Sequence, residues 1–223
     1  MRPTDGPAAG SANAENGPVP SGISRRWHGT LPNASPEPIL GPEANTDPAF
    51  MNRRLLDFYS EARPDSKGRQ LSDILAWSNT QLERQHDYIQ WLFPLAVPSN
   101  VVPDAPLVDA EVAAAFRTDP LLRENLLRAL HRMLGFYGMH CDDDDPSEIW
   151  IDLSPELANR ERVWLTFGNH NYLRLSRILR CLTILGRGSY AIALLDCLER
   201  IYREHGGVIG QAALAHWRSA CGQ

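Results

Sequence analysis

A chain of 223 residues with 43% hydrophobic and 22% charged side chains has room for one sizeable core, and its net charge of −5 argues against binding nucleic acid by blanket phosphate neutralisation. No run reaches the roughly 18 apolar residues of a membrane-spanning helix, and Cys141, Cys181, Cys197 and Cys221 stand too far apart for a zinc ribbon or a small disulfide framework. An intracellular, soluble, cytoplasmic protein is expected, with no transmembrane segment, no nucleic-acid partner and no cofactor.

Residues 1–47 are dominated by Pro, Gly, Ala, Ser and Asn without apolar periodicity, the composition of a segment that cannot bury enough surface to offset chain entropy. They are expected to form a disordered tail, and residues 48–223 an all-helical domain. Asp47-Pro48, Asp119-Pro120 and Ser154-Pro155 are helix-start signals, since a capping oxygen precedes a proline whose missing N–H costs the first turn nothing. Periodicity and punctuation then predict helices near 48–61, 72–77, 79–93, 110–117, 120–138, 155–166, 170–185, 189–205 and 209–220. Gly138, Gly186 and Gly206 stand where left-handed C-caps would end three of them. The fold class is all-α, a single multi-helix bundle.

Segment 120–138 has the clearest pattern. Leu122, Leu126, Ala129, Leu130, Met133 and Leu134 gather on one side, and Glu124, Asn125, Arg128, His131 and Arg132 face away. The run "EIWIDL", 148–153, is able to form a short extended piece that has no evident partner. "HCDDDDP", 140–146, lacks the glycine and the distal glutamate of a calcium loop and reads as a solvated acidic turn. It also offers counter-charge to a basic ridge further along the chain.

Two stretches mix polar with apolar residues. In "HDYIQWLFP", 86–94, a helical projection of 79–93 sets His86 about 40° from Leu82 on the buried side, flanked by Glu83 and Gln90, with Asp87 further round and Trp91 on another face. In "GNHNYLRLSRILRCLTILG", 168–186, Asn171 falls at the centre of an apolar stripe, so it must find a hydrogen-bonding partner. Arg174, Arg177 and Arg180 follow it as a ridge, whose simplest reading is a solvated face with helical ion pairs. A sharper reading makes Asn169, His170, Asn171 and Arg174 an anion or carboxylate receptor at a helix start. If the two stretches meet, they build one polar centre, in which the His86-Asp87 pair stitches an aromatic helix to the Asn-His-Asn start.

No nucleophile elbow, phosphate-binding loop or dinucleotide fingerprint is present, and His86, Asp87 and His170 follow no metal-ligand spacing rule. The residues therefore designate no catalytic group and no metal ligand. Together, "HDYIQWLFP" and "NHNYLRLSRIL", framed by "LLDFY" at 55–59, "DAPL" at 104–107 and "MLGFYG" at 133–138, resemble the conserved region of the opioid growth factor receptor family over about residues 50 to 205. The resemblance implies a non-enzymatic receptor for an enkephalin-type growth-inhibiting peptide, perinuclear or membrane-associated in animal cells.

Its motif residues are the candidate ligand-binding set, namely His86, Asp87, Tyr88, Gln90, Trp91, Asn169, His170, Asn171, Arg174 and Arg177. Tyr88, Trp91 and Tyr172 would provide apolar walls, with Asp87 or Arg174 pairing a terminal amine or carboxylate of a short peptide. Two alternatives stand beside this one. The first is an enzyme in which Asp87 orients His86 as a base, and the second is a helical scaffold for a protein partner.

Overall fold

The structure, a computed structural model, describes residues 48–223. The expected tail over 1–47 and the Asp47 cap lie outside the described residues. The helices are α1 (Pro48–Tyr59), α2 (Leu71–Leu75), α3 (Asn79–Arg84), α4 (Ile89–Leu92), α5 (Ala110–Thr118), α6 (Pro120–Tyr137), α7 (Leu157–Trp164), α8 (Asn171–Ile184), α9 (Gly188–Ile209) and α10 (Gln211–Ala220). A hairpin of β1 (Met139–Asp142) and β2 (Trp150–Leu153) lies between α6 and α7. The fold is all-α with this one small antiparallel sheet among the described residues.

Helix α6 is the axis of one half. Asp119 caps it by accepting from the amides of Leu121 and Leu122, and Pro120 opens it. Gly138 closes it at φ 78°, where a Cβ would stand 2.6 Å from the Cα of Leu157. Both the left-handed backbone and the close passage of α7 thus require glycine. α1, α2, α5 and α7 pack around α6, whose buried face includes Leu126, Leu130, Met133 and Phe136. In the other half α8 lies against α9 and α10, and the hairpin joins the halves by setting β1 on α6 and β2 on α9. Tyr137, Trp164, Tyr172 and Trp217 form an edge-to-face chain across the core. The two indole N–H groups donate to the carbonyls of Tyr137 and Tyr172 at 3.0 Å each.

Several expectations need correction. The segment 79–93 is not one helix: α3 ends at Arg84, Gln85 turns extended (ψ 140°), and only the single turn α4 follows. Ser154 does not cap α7 directly but accepts from the amide of Glu156 in a preceding turn. The helical backbone does break at His205 as expected, but Gly206 is not left-handed and a further helical stretch runs on to Ile209. "EIWIDL" does have a partner. Met139 pairs with Leu153 and Cys141 with Ile151, so the first three residues of the supposed acidic turn, His140 to Asp142, are strand. Asn125, read as facing outward, is 2% exposed, and its side-chain amide donates to the Tyr59 carbonyl at 2.6 Å.

Candidate functional site

The two polar stretches do meet, through different atoms from those expected. α8 presents Asn171, which is fully buried, and Arg174, which is 5% exposed. The Arg174 guanidinium donates to the Leu82 carbonyl at 3.1 Å, to the Gln85 carbonyl at 2.7 Å and to the Asn171 side-chain oxygen at 3.1 Å. In an uninterrupted helix those two carbonyls would accept from the amides of residues 86 and 89. Tyr88 donates its hydroxyl to the Leu82 carbonyl as well. Arg174 therefore occupies the backbone acceptors that a continuing helix would have used, and the break at Gln85 is its counterpart.

The carboxylate that reaches the start of α8 is the chain's own. Asn171 donates to Glu83 at 3.1 Å, and the His170 ring and Arg174 lie 3.6 and 3.8 Å from the same carboxylate. The anion receptor read from the Asn-His-Asn cluster is thus occupied from within. Asn169 accepts from the Asn171 amide and donates to the Val163 carbonyl and the Thr166 hydroxyl, which fixes the turn before α8. Burial, then the Arg174 charge, lowers the pKa of His170, so the ring favours its neutral form.

His86 does not sit in the core. It is exposed, its ring edge-on to His170 at 5.1 Å between centroids. Asp87 turns the other way, to Arg69 at 2.9 Å and Lys67 at 3.7 Å. Burial opposes its ionisation, but the Arg69 hydrogen bond and charge outweigh that and hold its carboxyl below the usual range. The expected His86-Asp87 stitch is accordingly replaced by Glu83, Asn171 and Arg174, and Asp87 does not orient His86. Tyr88 and Trp91 are fully buried core residues, not walls of an open site. The basic ridge is not a solvated face of ion pairs either. Arg174 is interior, Arg177 donates to the Phe93 carbonyl at 3.1 Å, and only Arg180 is exposed. The acidic loop lends it no charge, since Asp143 engages His131 and Tyr190 instead.

Outside this junction lies an open cleft of about 670 Å³, bordered by the α4 turn, the 95–101 connection, α8 and the end of α10. Its lining contains three arginines (Arg174, Arg177, Arg180) and three histidines (His86, His170, His216), with no carboxylate among the described residues that line it. Leu173 and Val101 expose apolar surface there, at 69% and 71%. Gln90 also lines it; this side chain is 5% exposed, and its buried Oε1 has no hydrogen-bond partner among the described residues. Of the ten candidate residues, His86, Gln90, His170, Arg174 and Arg177 come together here. Arg180 and His216 were missed. Arg180 continues the i, i+3 spacing already visible in α8, whereas nothing local marks His216.

The fold and cleft define a class first: an all-helical protein with a cationic, partly apolar surface cleft and no helix, among the described residues, long and apolar enough to cross a membrane. The family model described as the opioid growth factor receptor (OGFr) conserved region matches residues 51–220, and the chain belongs to that family. It is 38% identical over 146 residues to the opioid growth factor receptor of Rattus norvegicus, covering 63% of this chain and 24% of that one. It is 33% identical over 171 residues to the opioid growth factor receptor of Homo sapiens, covering 74% and 25%. With the opioid growth factor receptor-like protein 1 of Xenopus tropicalis it shares 32% identity over 127 residues, covering 56% and 23%. The matches thus span about a quarter of the length of these relatives. No solved structure matches the chain.

Proposed function

We propose that the protein is a non-enzymatic receptor-type module that binds a short peptide through its free C-terminal carboxylate in the cleft beside α8. The observation that carries this reading is the lining, where Arg177 and Arg180 have no acidic partner among the described residues, Glu83 behind the wall engages only His170 and Arg174, and apolar surface from Leu173 and Val101 stands alongside. A carboxylate finds the positive charge of Arg177 and Arg180 there, and an aromatic or aliphatic terminal side chain finds a place to lose water. Arg180 is the leading ligand contact, because Arg174 and Arg177 already serve backbone carbonyls. Membership of a family whose named members are opioid growth factor receptors supports a peptide as the ligand.

The test is calorimetric titration of the full chain with an enkephalin-type peptide as free acid and as C-terminal amide. The free acid should bind, with affinity reduced at least tenfold by amidation and by Arg180→Gln. Absence of heat and of any melting shift at millimolar free acid would remove the reading.

A further inference from the structure

Away from the α8 cleft, the acidic segment makes contacts with His131 and Tyr190 that the peptide reading leaves unused. Cys141 lies in β1 and Asp143 just beyond its end, and both side chains reach His131 on α6. There His131 presents its Nε2, 3.2 Å from the Asp143 carboxylate. One ligand atom from each of His131, Cys141 and Asp143 lies within 4.8 Å of the others. We infer that these three side chains form a binding site for a divalent transition metal, with zinc the ion that fits best.

The chemistry of the donors selects the metal. An imidazole, a thiolate and a carboxylate are a borderline set that suits zinc and its first-row neighbours, whereas calcium and magnesium take oxygen ligands. The His131 to Asp143 separation matches the edge of a zinc coordination tetrahedron, about 3.3 Å for bonds of about 2.0 Å. The Tyr190 hydroxyl donates to the same Asp143 oxygen at 3.0 Å and holds the carboxylate in place, as supporting hydrogen bonds do around metal ligands. His131, Asp143 and Tyr190 also help to line a second cleft of about 720 Å³, which gives water access to that side of the cluster. Binding replaces the Cys141 S–H bond by a metal–sulfur bond and releases that proton to solvent. The ion would fasten the β1 end and the acidic loop to α6. The exposed His140, the histidine adjacent in sequence, sits on the other side of the strand and takes no part.

Zinc and cobalt(II) titrations of the dialysed full chain test the site. One equivalent of zinc should bind and raise the melting temperature, and the cobalt form should show a sulfur-to-cobalt charge-transfer band. Cys141→Ser should abolish the band. His131→Gln, at an exposed position that leaves the far-ultraviolet circular dichroism unchanged, should weaken cobalt binding at least tenfold. Failure of the chain to bind a stoichiometric metal overturns the inference. So does a band that survives Cys141→Ser, which would assign the sulfur to Cys181, Cys197 or Cys221.

Discussion

Helix α6 and the segment 79–92 look alike in sequence, each an apolar run with polar residues spaced around it, yet one folds as an 18-residue helix and the other breaks after six. In α6 local signals and long-range contacts agree. Asp119 and Pro120 start it, Gly138 ends it, and the backbone carbonyls to which Asn125 and Arg132 donate belong to other segments, which leaves α6's own backbone ladder intact. In 79–92 the long-range contact acts on the backbone itself, because Arg174 takes the Leu82 and Gln85 carbonyls. A buried guanidinium needs acceptors more than one short helix needs two further bonds. The lesson is that a polar side chain beside a helix preserves it or ends it according to whose carbonyls it takes.

That contrast can be broken most forcibly at Arg174. Arg174→Met leaves two carbonyls and the Glu83 carboxylate without their cation in a buried place, so urea unfolding should show a loss of about 3–5 kcal/mol. Removing Asn125, whose amide reaches Tyr59 without touching the α6 ladder, should cost less. Asn125→Leu is expected to lose about 1–3 kcal/mol, with the helical circular dichroism retained. Deleting the local start signal with Asp119→Ala should cost about 1 kcal/mol by the same assay. His86→Leu should change stability by under about 0.5 kcal/mol, as befits an exposed residue. A large loss there would restore the buried histidine of the helical projection.

A pH measurement sharpens the comparison from the core side. Burial raises the Tyr88 hydroxyl from its ordinary 10.0 to about 12, against smaller opposing effects of the Arg174 and Arg132 charges, and burial also raises those of Tyr59 and Tyr137. The unfolded chain therefore releases these protons first. Their contribution to stability is complete below pH 10 and falls as pH rises from 10 toward 12, by up to about 1.4 kcal/mol per pH unit for each tyrosine. Urea midpoints between pH 8 and 12 should be flat and then drop steeply.

How far the sequence discloses the molecule follows the same division. The class, α6 and the burial of Asn171 were legible, because an apolar stripe, a capping Asp-Pro and a lone amide within a stripe act locally; the meeting of the two motif stretches, a long-range contact, stood there only as a condition. The hairpin was not, since β1 is half polar and its partner lies across a seven-residue loop. The outward turn of His86 was hidden too, because it depends on Arg174, 88 positions away. Of the site, the arginine spacing was visible, but which arginine is buried depends on the carbonyls it meets. His131 was correctly read as exposed, yet its approach to Cys141 and Asp143 requires the strand that the sequence did not reveal.

Everything about the cleft follows from the chain leaving the helix at Gln85, which carries His86 to the surface and brings Gln90 to the cleft wall. Native-state amide hydrogen exchange reads this directly at His86, whose N–H lacks the Leu82 carbonyl that Arg174 and Tyr88 have taken. Its amide should exchange within a few-fold of the free-peptide rate, while those of Leu126 and Leu130 in α6 are slowed by orders of magnitude. Protection of the His86 amide equal to that of α6 would contradict the account.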